Sequence, residues 1–356
     1  MHYAVIMAGG AGLRLWPLSR AARPKQLLKL GGQKSLLRQA YERVSALLPP
    51  ELICVIANQM HIDLIAKELP ELPADNLFGE PVGRDTANAV GMAAAILQER
   101  DPDAVMGIFT ADHVITPIER FTNAVGTALA MAEEHAGALV TMGIRPLGPE
   151  VGYGYVKRGQ QVTEGVFEVE RFTEKPDLEA AKQYVASGDY YWNSGMFAWR
   201  TATILEQLQQ HLPKSHQGFL EIASAWNTPG RTAKLEAVYP QLEKISIDFA
   251  VLEHAPRVLV VEMDCDWMDV GSWTGLEPVM GADHDENVLA ALRTVNLNSH
   301  GNVLVSEDQH LIATMGIKDL VIVHSPEATL VCHKDEAQNL KELVAKVQNR
   351  HGQEYL

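Results

Sequence analysis

The chain opens on a short apolar run that ends in glycines: Tyr3-Ala-Val-Ile-Met7 leads through Ala8 into Gly9-Gly10. A run of this length without polar alternation reads as a strand buried on both faces that feeds a tight turn. Equivalent units recur. Leu52 to Ala57 precedes a helical pattern from about Met60 to Leu69, Ala104 to Phe109 runs into Thr110-Ala111-Asp112-His113, and Ala138 to Ile144 follows an alanine-rich helical stretch from Phe121 to His135. Strands alternating with helices predict an α/β fold, a Rossmann-like, mostly parallel sheet covered on both faces.

The pattern changes twice. Between Val151 and Phe172 short alternating segments predict antiparallel ribbons beside the main sheet, and Leu178–Ser187 and Thr201–His211 read as helices. From about Asn287 the chain is strand-rich in short pieces (Asn302–Ser306, Leu311–Thr314, Leu320–His324, Thr329–Cys332), closed by a helix over Glu336–Gln348. The polar, turn-like Ala282–Glu286 places a boundary there. The expected organisation is a catalytic domain over 1–283 and a small β-rich segment over 284–356. That segment is expected to form a sheet or a short β-helix, although no fixed repeat period is evident.

With 356 residues, 47% of them hydrophobic, the chain can bury one large core or two smaller ones. Its formal net charge of −15 argues against a general nucleic-acid or anionic-membrane binder, either of which needs a positive face. Cys54, Cys265 and Cys332 stand far apart without a CxxC pair, so neither a disulfide framework nor a cysteine zinc site is expected. The N-terminus shows no leader pattern and no spanning apolar stretch, and a cytoplasmic protein is expected.

Charge is distributed unevenly. Met1 to Tyr41 contains no Asp or Glu but seven cations, Arg14, Arg20, Arg23, Lys25, Lys29, Lys34 and Arg38, so the remaining chain carries −22. A basic segment inside an acidic body suits a multiply charged anion, and equally suits a solvated basic face. Two phosphate motifs fail: no Lys-Ser/Thr follows the glycines as a P-loop requires. Leu15 stands where a dinucleotide fingerprint needs a small residue, and no acid follows about 20 residues on. What remains is a strand, a glycine loop whose bare amides can approach phosphate oxygens, and cations from Arg14 and Lys25.

Gly9-Gly10-Ala11-Gly12-Leu13-Arg14-Leu15-Trp16-Pro17-Leu18-Ser19, followed by Arg23-Pro24-Lys25-Gln26, resembles the signature loop of the sugar-1-phosphate nucleotidylyltransferases, and most of all that of the mannose-1-phosphate guanylyltransferases. The resemblance continues through Gly83–Ala87, Thr110–His113, Phe172–Pro176, Trp192–Phe197 and Asp269–Trp273 and covers essentially the whole chain. It implies attack by mannose 1-phosphate on the α-phosphorus of GTP, giving GDP-mannose and pyrophosphate. Such a nucleophile is already an anion, so positioning and charge neutralisation are what the protein must supply.

The resemblance also implies roles for residues. Arg14 grips the leaving pyrophosphate, Lys25 sits near the phosphates in transfer, and Asp112 and Asp269 hold Mg²⁺, with Asp264 and Asp266 as nearby alternatives and His113 as a neighbour. Gly9, Gly10 and Gly12 with Asp85 and Thr86 bind the nucleotide. Asp85 departs from the family's usual Asn and either reads guanine or caps the following helix. Lys175 binds the sugar phosphate, Glu174 and Asn193 the sugar hydroxyls, and Gly152 lets the backbone approach the hexose. Trp192, Phe197 and Trp199 read as core.

The bifunctional relatives carry a further isomerase domain, and no isomerase activity is expected here. The tail is expected to support the catalytic domain or to mediate contacts in a homodimer. Three other readings stand beside this one: a nucleotidylyltransferase for another sugar or nucleotide, a non-catalytic GDP-mannose sensor, and, more remotely, a dinucleotide oxidoreductase.

Overall fold

The computed structural model describes residues 1–10, 12–30 and 32–356; Ala11, within the glycine loop, and Gly31 lie outside the described residues. Packing groups the chain into two units. The first comprises Met1–Gly9, Glu42–Thr110 and Ile115–Asp266, the second Gly10–Tyr41, Ala111–Val114 and Trp267–Leu356.

In chain order the strands begin β1 (His2–Met7), β2 (Ile53–Asn58), β3 (Leu77–Glu80), β4 (Val105–Thr110), β5 (His113–Thr116), β6 (Leu139–Ile144), β7 (Tyr155–Thr163), β8 (Val166–Thr173), β9 (Tyr190–Arg200) and β10 (Val258–Glu262). All but β5 form one nine-stranded sheet in the order β3-β2-β1-β4-β9-β6-β10-β8-β7. The half containing β3, β2, β1 and β4 is parallel throughout. The expected apolar runs are these strands, and β2, β4 and β6 are buried along nearly their whole length. Helices on both faces remove them from water, which is what makes an all-apolar strand stable.

The other half is mixed. β9 runs antiparallel to both β4 and β6, while β6 and β10 are parallel, and the β7–β8 ribbon expected from the alternating segment pairs antiparallel. The sequence reading assigns no element to Tyr190–Arg200, because Asn193-Ser194-Gly195 looks like turn chemistry. The strand runs through it because a register shift between Thr141 and Gly143 absorbs the irregularity, with Gly195 at φ +69°. Trp199 is fully buried and Phe197 and Trp192 nearly so, as core side chains.

Helix Thr86–Arg100 is alanine-rich because it lies deep: Ala87 through Leu97 are all buried. Gly91 lies tight against helix Pro213–Ala225, since a Cβ there would come 2.2 Å from the Phe219 ring. Among the described residues, no helix is long and apolar enough to cross a membrane.

In the second unit the remaining strands are β11 (Asp266–Asp269), β12 (Val288–Leu297), β13 (Val303–Met315), β14 (Leu320–His324) and β15 (Thr329–His333). β12, β13 and β14 are parallel neighbours and β15 closes the sheet antiparallel. Asn302–Ser306 and Leu311–Thr314, read as separate strands, are one. The polar residues 307–310 bulge out opposite Leu292, and the Asp308 carboxylate holds the bulge by accepting from Ser306 Oγ at 2.7 Å and His310 N at 3.0 Å.

The successive coils stack through buried asparagines. Asn302 N and Nδ2 both donate to Asn287 Oδ1 at 3.0 Å, and Asn302 Oδ1 accepts from Leu320 N at 3.0 Å. Such fully satisfied buried amides replace the repeat that the sequence does not display. The Trp16-Pro17-Leu18 part of the basic loop belongs to this unit's core. Trp273 Nε1 donates to Trp16 O at 3.1 Å and Trp16 Nε1 to Tyr355 O at 2.7 Å, fixing the loop to the C-terminus.

Candidate functional site

The second unit brings Lys25, Asp112 and Asp269 together. Lys25 lies in a helical turn set by Pro24, Asp112 two residues past β4, and Asp269 at the end of β11; Val270 N donates to Asp112 O at 3.3 Å and ties the two acidic segments. The Lys25 ammonium pairs closely with Asp112 Oδ2 and stands 3.9 Å from Asp269 Oδ1. Burial of this lysine disfavours its charge, but the carboxylates of Asp112 and then Asp269 outweigh that, and its pKa is raised. Burial pushes Asp112 up, and Lys25 with His113 overcomes this and holds it below its usual value.

The local backbone is shaped for this cluster. Gly12 has φ +58°, and a Cβ on it would stand 2.6 Å from Ser19 Oγ and 2.8 Å from Lys25 Cβ, so only glycine fits. Gly271 faces the same cluster at ordinary contact distance: a Cβ on it would stand 3.6 Å from Asp269 Oδ2 and 3.7 Å from Arg14 Nη2. Arg14 itself is exposed.

Donor atoms of Asp112, His113 and Asp269 lie within 4.8 Å of one another. Asp269 Oδ1 is buried without a hydrogen-bond partner, the state expected of an oxygen reserved for a cation. His113 Nδ1 lies 3.1 Å from Trp267 Nε1, and its Nε2 stands 3.8 Å from Asp112 Oδ1. The two hard carboxylates, Asp112 and Asp269, could hold a divalent ion that also keeps phosphate and water ligands. Asp264, one of the alternatives, is instead paired with Arg120 at the surface.

A second cluster belongs to the first unit. Asn193 Oδ1 accepts from Thr141 Oγ1 at 3.1 Å and Gly195 N at 3.2 Å, while Asn193 Nδ2 donates to Asp248 Oδ1 at 2.9 Å. Glu174 pairs with Lys175, whose side chain is 59% exposed and whose φ is +46°, a backbone geometry costing about 1–2 kcal/mol in a non-glycine residue. Asp248 is a residue the sequence reading missed; it starts a one-turn π-helix, Asp248–Leu252, of the kind that often marks functional positions. Its only sequence signal is an acid between Ile247 and Phe249 in an apolar stretch. Burial, with the Glu174 charge second, pushes its pKa up to about 6.

Gly152 is exposed with nothing within 4 Å of a Cβ, whereas Gly154 is packed: a Cβ there would meet Glu174 Oε2 at 2.5 Å and Asn193 Cβ at 3.3 Å. Gly154 is thus the glycine against the Glu174–Asn193 pair, and the sequence reading named only Gly152.

Gly9 and Gly10 both expose their backbone, Gly10 at φ +99° with open space around it. Asp85, at φ +69°, caps helix Thr86–Arg100 by accepting from Thr86 N at 2.9 Å, and Thr86 Oγ1 accepts from Ile247 N at 2.9 Å.

Residues 3–286 match the nucleotidyl transferase family and residues 292–347 the MannoseP isomerase/GMP-like beta-helix domain. The chain belongs to the nucleotidyl transferase family. Mannose-1-phosphate guanylyltransferases of Klebsiella pneumoniae and Escherichia coli are each 39% identical to it over 361 residues, covering 100% of this chain and 76% of those proteins. A crystal structure described as a mannose-1-phosphate geranyltransferase from Thermus thermophilus superposes with a TM-score of 0.88 at 37% identity, over 98% of this chain and 99% of that one. Family members generally act with a divalent metal on a nucleoside triphosphate, the chemistry that the Asp112–Asp269 pair suits.

Proposed function

We propose that the chain transfers GMP from GTP to α-D-mannose 1-phosphate, releasing pyrophosphate and forming GDP-mannose. A phosphate oxygen of the sugar phosphate forms the new bond to the α-phosphorus, and the bond from that phosphorus to the bridging oxygen of pyrophosphate breaks with its electron pair. No proton needs to move, so the side chains act by placement and charge. The full-length likeness to mannose-1-phosphate guanylyltransferases supports the substrates. The observation that carries the chemistry is the Lys25 ammonium set between Asp112 and Asp269, with Asp269 Oδ1 buried and without a hydrogen-bond partner.

Asp112 and Asp269 would hold Mg²⁺, which when bound would draw charge from the α-phosphate and the leaving group. Lys25 stays charged beside them and neutralises the phosphate in transfer, and Arg14 grips pyrophosphate with its fork of donors. The amides of Gly9, Gly10 and Gly12 take phosphate oxygens, and the turn at Asp85 and Thr86 borders the nucleotide. Lys175 takes the sugar phosphate, Glu174 and Asn193 orient hydroxyls, and the open side of Gly152 admits the hexose.

Residues 1–283 form the catalytic domain in this reading and 284–356 its β-rich support, in a cytoplasmic homodimer that binds neither nucleic acid nor membrane. A sensor that only binds GDP-mannose is disfavoured because Arg14, Lys25, Asp112, Lys175 and Asp269 are all present. Pyrophosphate release separates the readings. GTP with mannose 1-phosphate should exceed ATP, UTP or dTTP and glucose 1-phosphate in every pairing; another best pair would reassign the substrates, and no release with any pair would leave a sensor.

A further inference from the structure

The basic loop carries more cations than the proposed phosphate site uses, and acids of the second unit's C-terminal strands take up two of them. Arg20 Nη2 donates to Ser325 Oγ at 2.8 Å and pairs with Glu327 at 3.0 Å. Arg23 goes to Glu307, whose Oε2 forms an ion pair with its Nη1 at 2.5 Å, out of line for a hydrogen bond. The other oxygen of the same carboxylate, Oε1, accepts from Lys29 N at 2.6 Å. Arg23 and Lys29 bracket Lys25. One side chain of the C-terminal sheet thus grips both ends of the segment that presents this lysine to Asp112 and Asp269.

The strand is shaped to bring the carboxylate there. Glu307 opens the 307–310 bulge of β13, and its side chain is only 12% exposed. Bulges re-aim side chains in this way beside functional sites. Between the two grips the chain is short and stiff: Lys25–Leu27 makes one helical turn, closed by Leu28 N donating to Lys25 O at 3.0 Å, and Leu28 is fully buried. We propose that Glu307 is a positioning residue for Lys25, holding its backbone so that the ammonium stands in place before substrate arrives. A displacement of about 1 Å at such a group can cost about 10²-fold in rate. The inference rests on Lys25 serving the phosphates in transfer, and it gives the β-rich segment a part in the reaction beyond support.

The test compares wild type, Glu307→Ala, Glu307→Gln and Glu327→Ala by steady-state kinetics on the best substrate pair, by calorimetric counting of GTP sites, and by amide hydrogen exchange. In Glu307→Ala kcat should fall about tenfold to hundredfold, with the KM for the sugar phosphate within about threefold and the number of GTP sites per chain unchanged, so that lost folded protein is not the cause. Exchange should quicken by at least about tenfold in the peptide spanning Lys25 to Leu30. Glu307→Gln keeps an acceptor for Lys29 N and gives up only a half-exposed ion pair, so its kcat should stay within about fivefold of wild type. Glu327→Ala, which removes an exposed partner of Arg20, should leave kcat unchanged. Wild-type kcat in Glu307→Ala, a Glu307→Gln protein as slow as the alanine variant, or an equal loss in Glu327→Ala overturns the proposal. Should Glu307→Ala not fold, Glu307→Asp, one methylene short of the Lys29 amide, must lose at least about threefold in kcat, and an unchanged kcat there overturns the proposal equally. Faster exchange in the variant of a protein that releases no pyrophosphate with any pair would uphold the grip on the loop and overturn the catalytic reading instead.

Discussion

Asn193 Nδ2 donates to Asp248 Oδ1 at 2.9 Å, and the oxygen of the same amide accepts from Thr141 at 3.1 Å. The amide is therefore locked in one orientation by residues far from it in sequence. A donor so fixed presents its remaining hydrogen in a single direction, which is what recognition of a sugar hydroxyl requires.

Asp248→Asn should raise stability at pH 7. Its carboxyl is held at about 6, above its ordinary 3.8, so the folded protein binds that proton more tightly than the unfolded chain does. The associated stability is fully present below pH 3.8 and is lost as pH rises through about 6. The variant should gain at most about 3 kcal/mol at pH 7 and nothing at pH 3.5, measured by urea unfolding at both values. Equal gains at both would show that the charge is not responsible.

Gly154→Ala and Gly152→Ala should part company. The first forces a methyl against Glu174 and Asn193 and should destabilise by about 1–3 kcal/mol. The second meets nothing within 4 Å and should leave the melting temperature unchanged, so any loss in its use of mannose 1-phosphate reports a hexose at that face. A melting temperature lowered equally in both would contradict the placement of Gly154.

Lys175→Ala should raise the KM for mannose 1-phosphate at least about tenfold with little change for GTP. Because the side chain is largely exposed, stability should move by less than about 1 kcal/mol. Steady-state kinetics with each substrate varied in turn checks this, and an unaltered KM for the sugar phosphate removes Lys175 from that role.

Asp269→Ala should lower turnover by about 10²–10³-fold while costing about 1 kcal/mol or less, since Oδ1 makes no hydrogen bond that would be lost. Asp112→Ala should lose turnover similarly but also cost about 1–3 kcal/mol, because Lys25 loses its close partner inside the protein. Turnover near wild type in either variant removes that residue from the proposed ion site.

Legibility in the sequence followed the range of the forces involved. β1, β2, β4 and β6 were readable because burial on both faces demands unbroken apolar runs, and the glycine loop because Gly12 must accommodate Ser19 and Lys25 at close range. β9 was not, since its Asn-Ser-Gly centre looks locally like a turn and becomes a strand only between β4 and β6. Asp248 and Gly154 were invisible for a related reason: each gains meaning from partners many residues away, Asn193 for one and Glu174 for the other. In the tail the short strands and a possible β-helix are legible but the repeat is not, because two buried amides, Asn287 and Asn302, carry it rather than an apolar period.

The most direct measurement is a crystal structure of the full chain with GTP and magnesium. A metal ion held by Asp112 and Asp269 should contact the nucleotide's phosphates, with Lys25 beside them. Nucleotide bound elsewhere, with those two carboxylates turned away from it, would contradict the account.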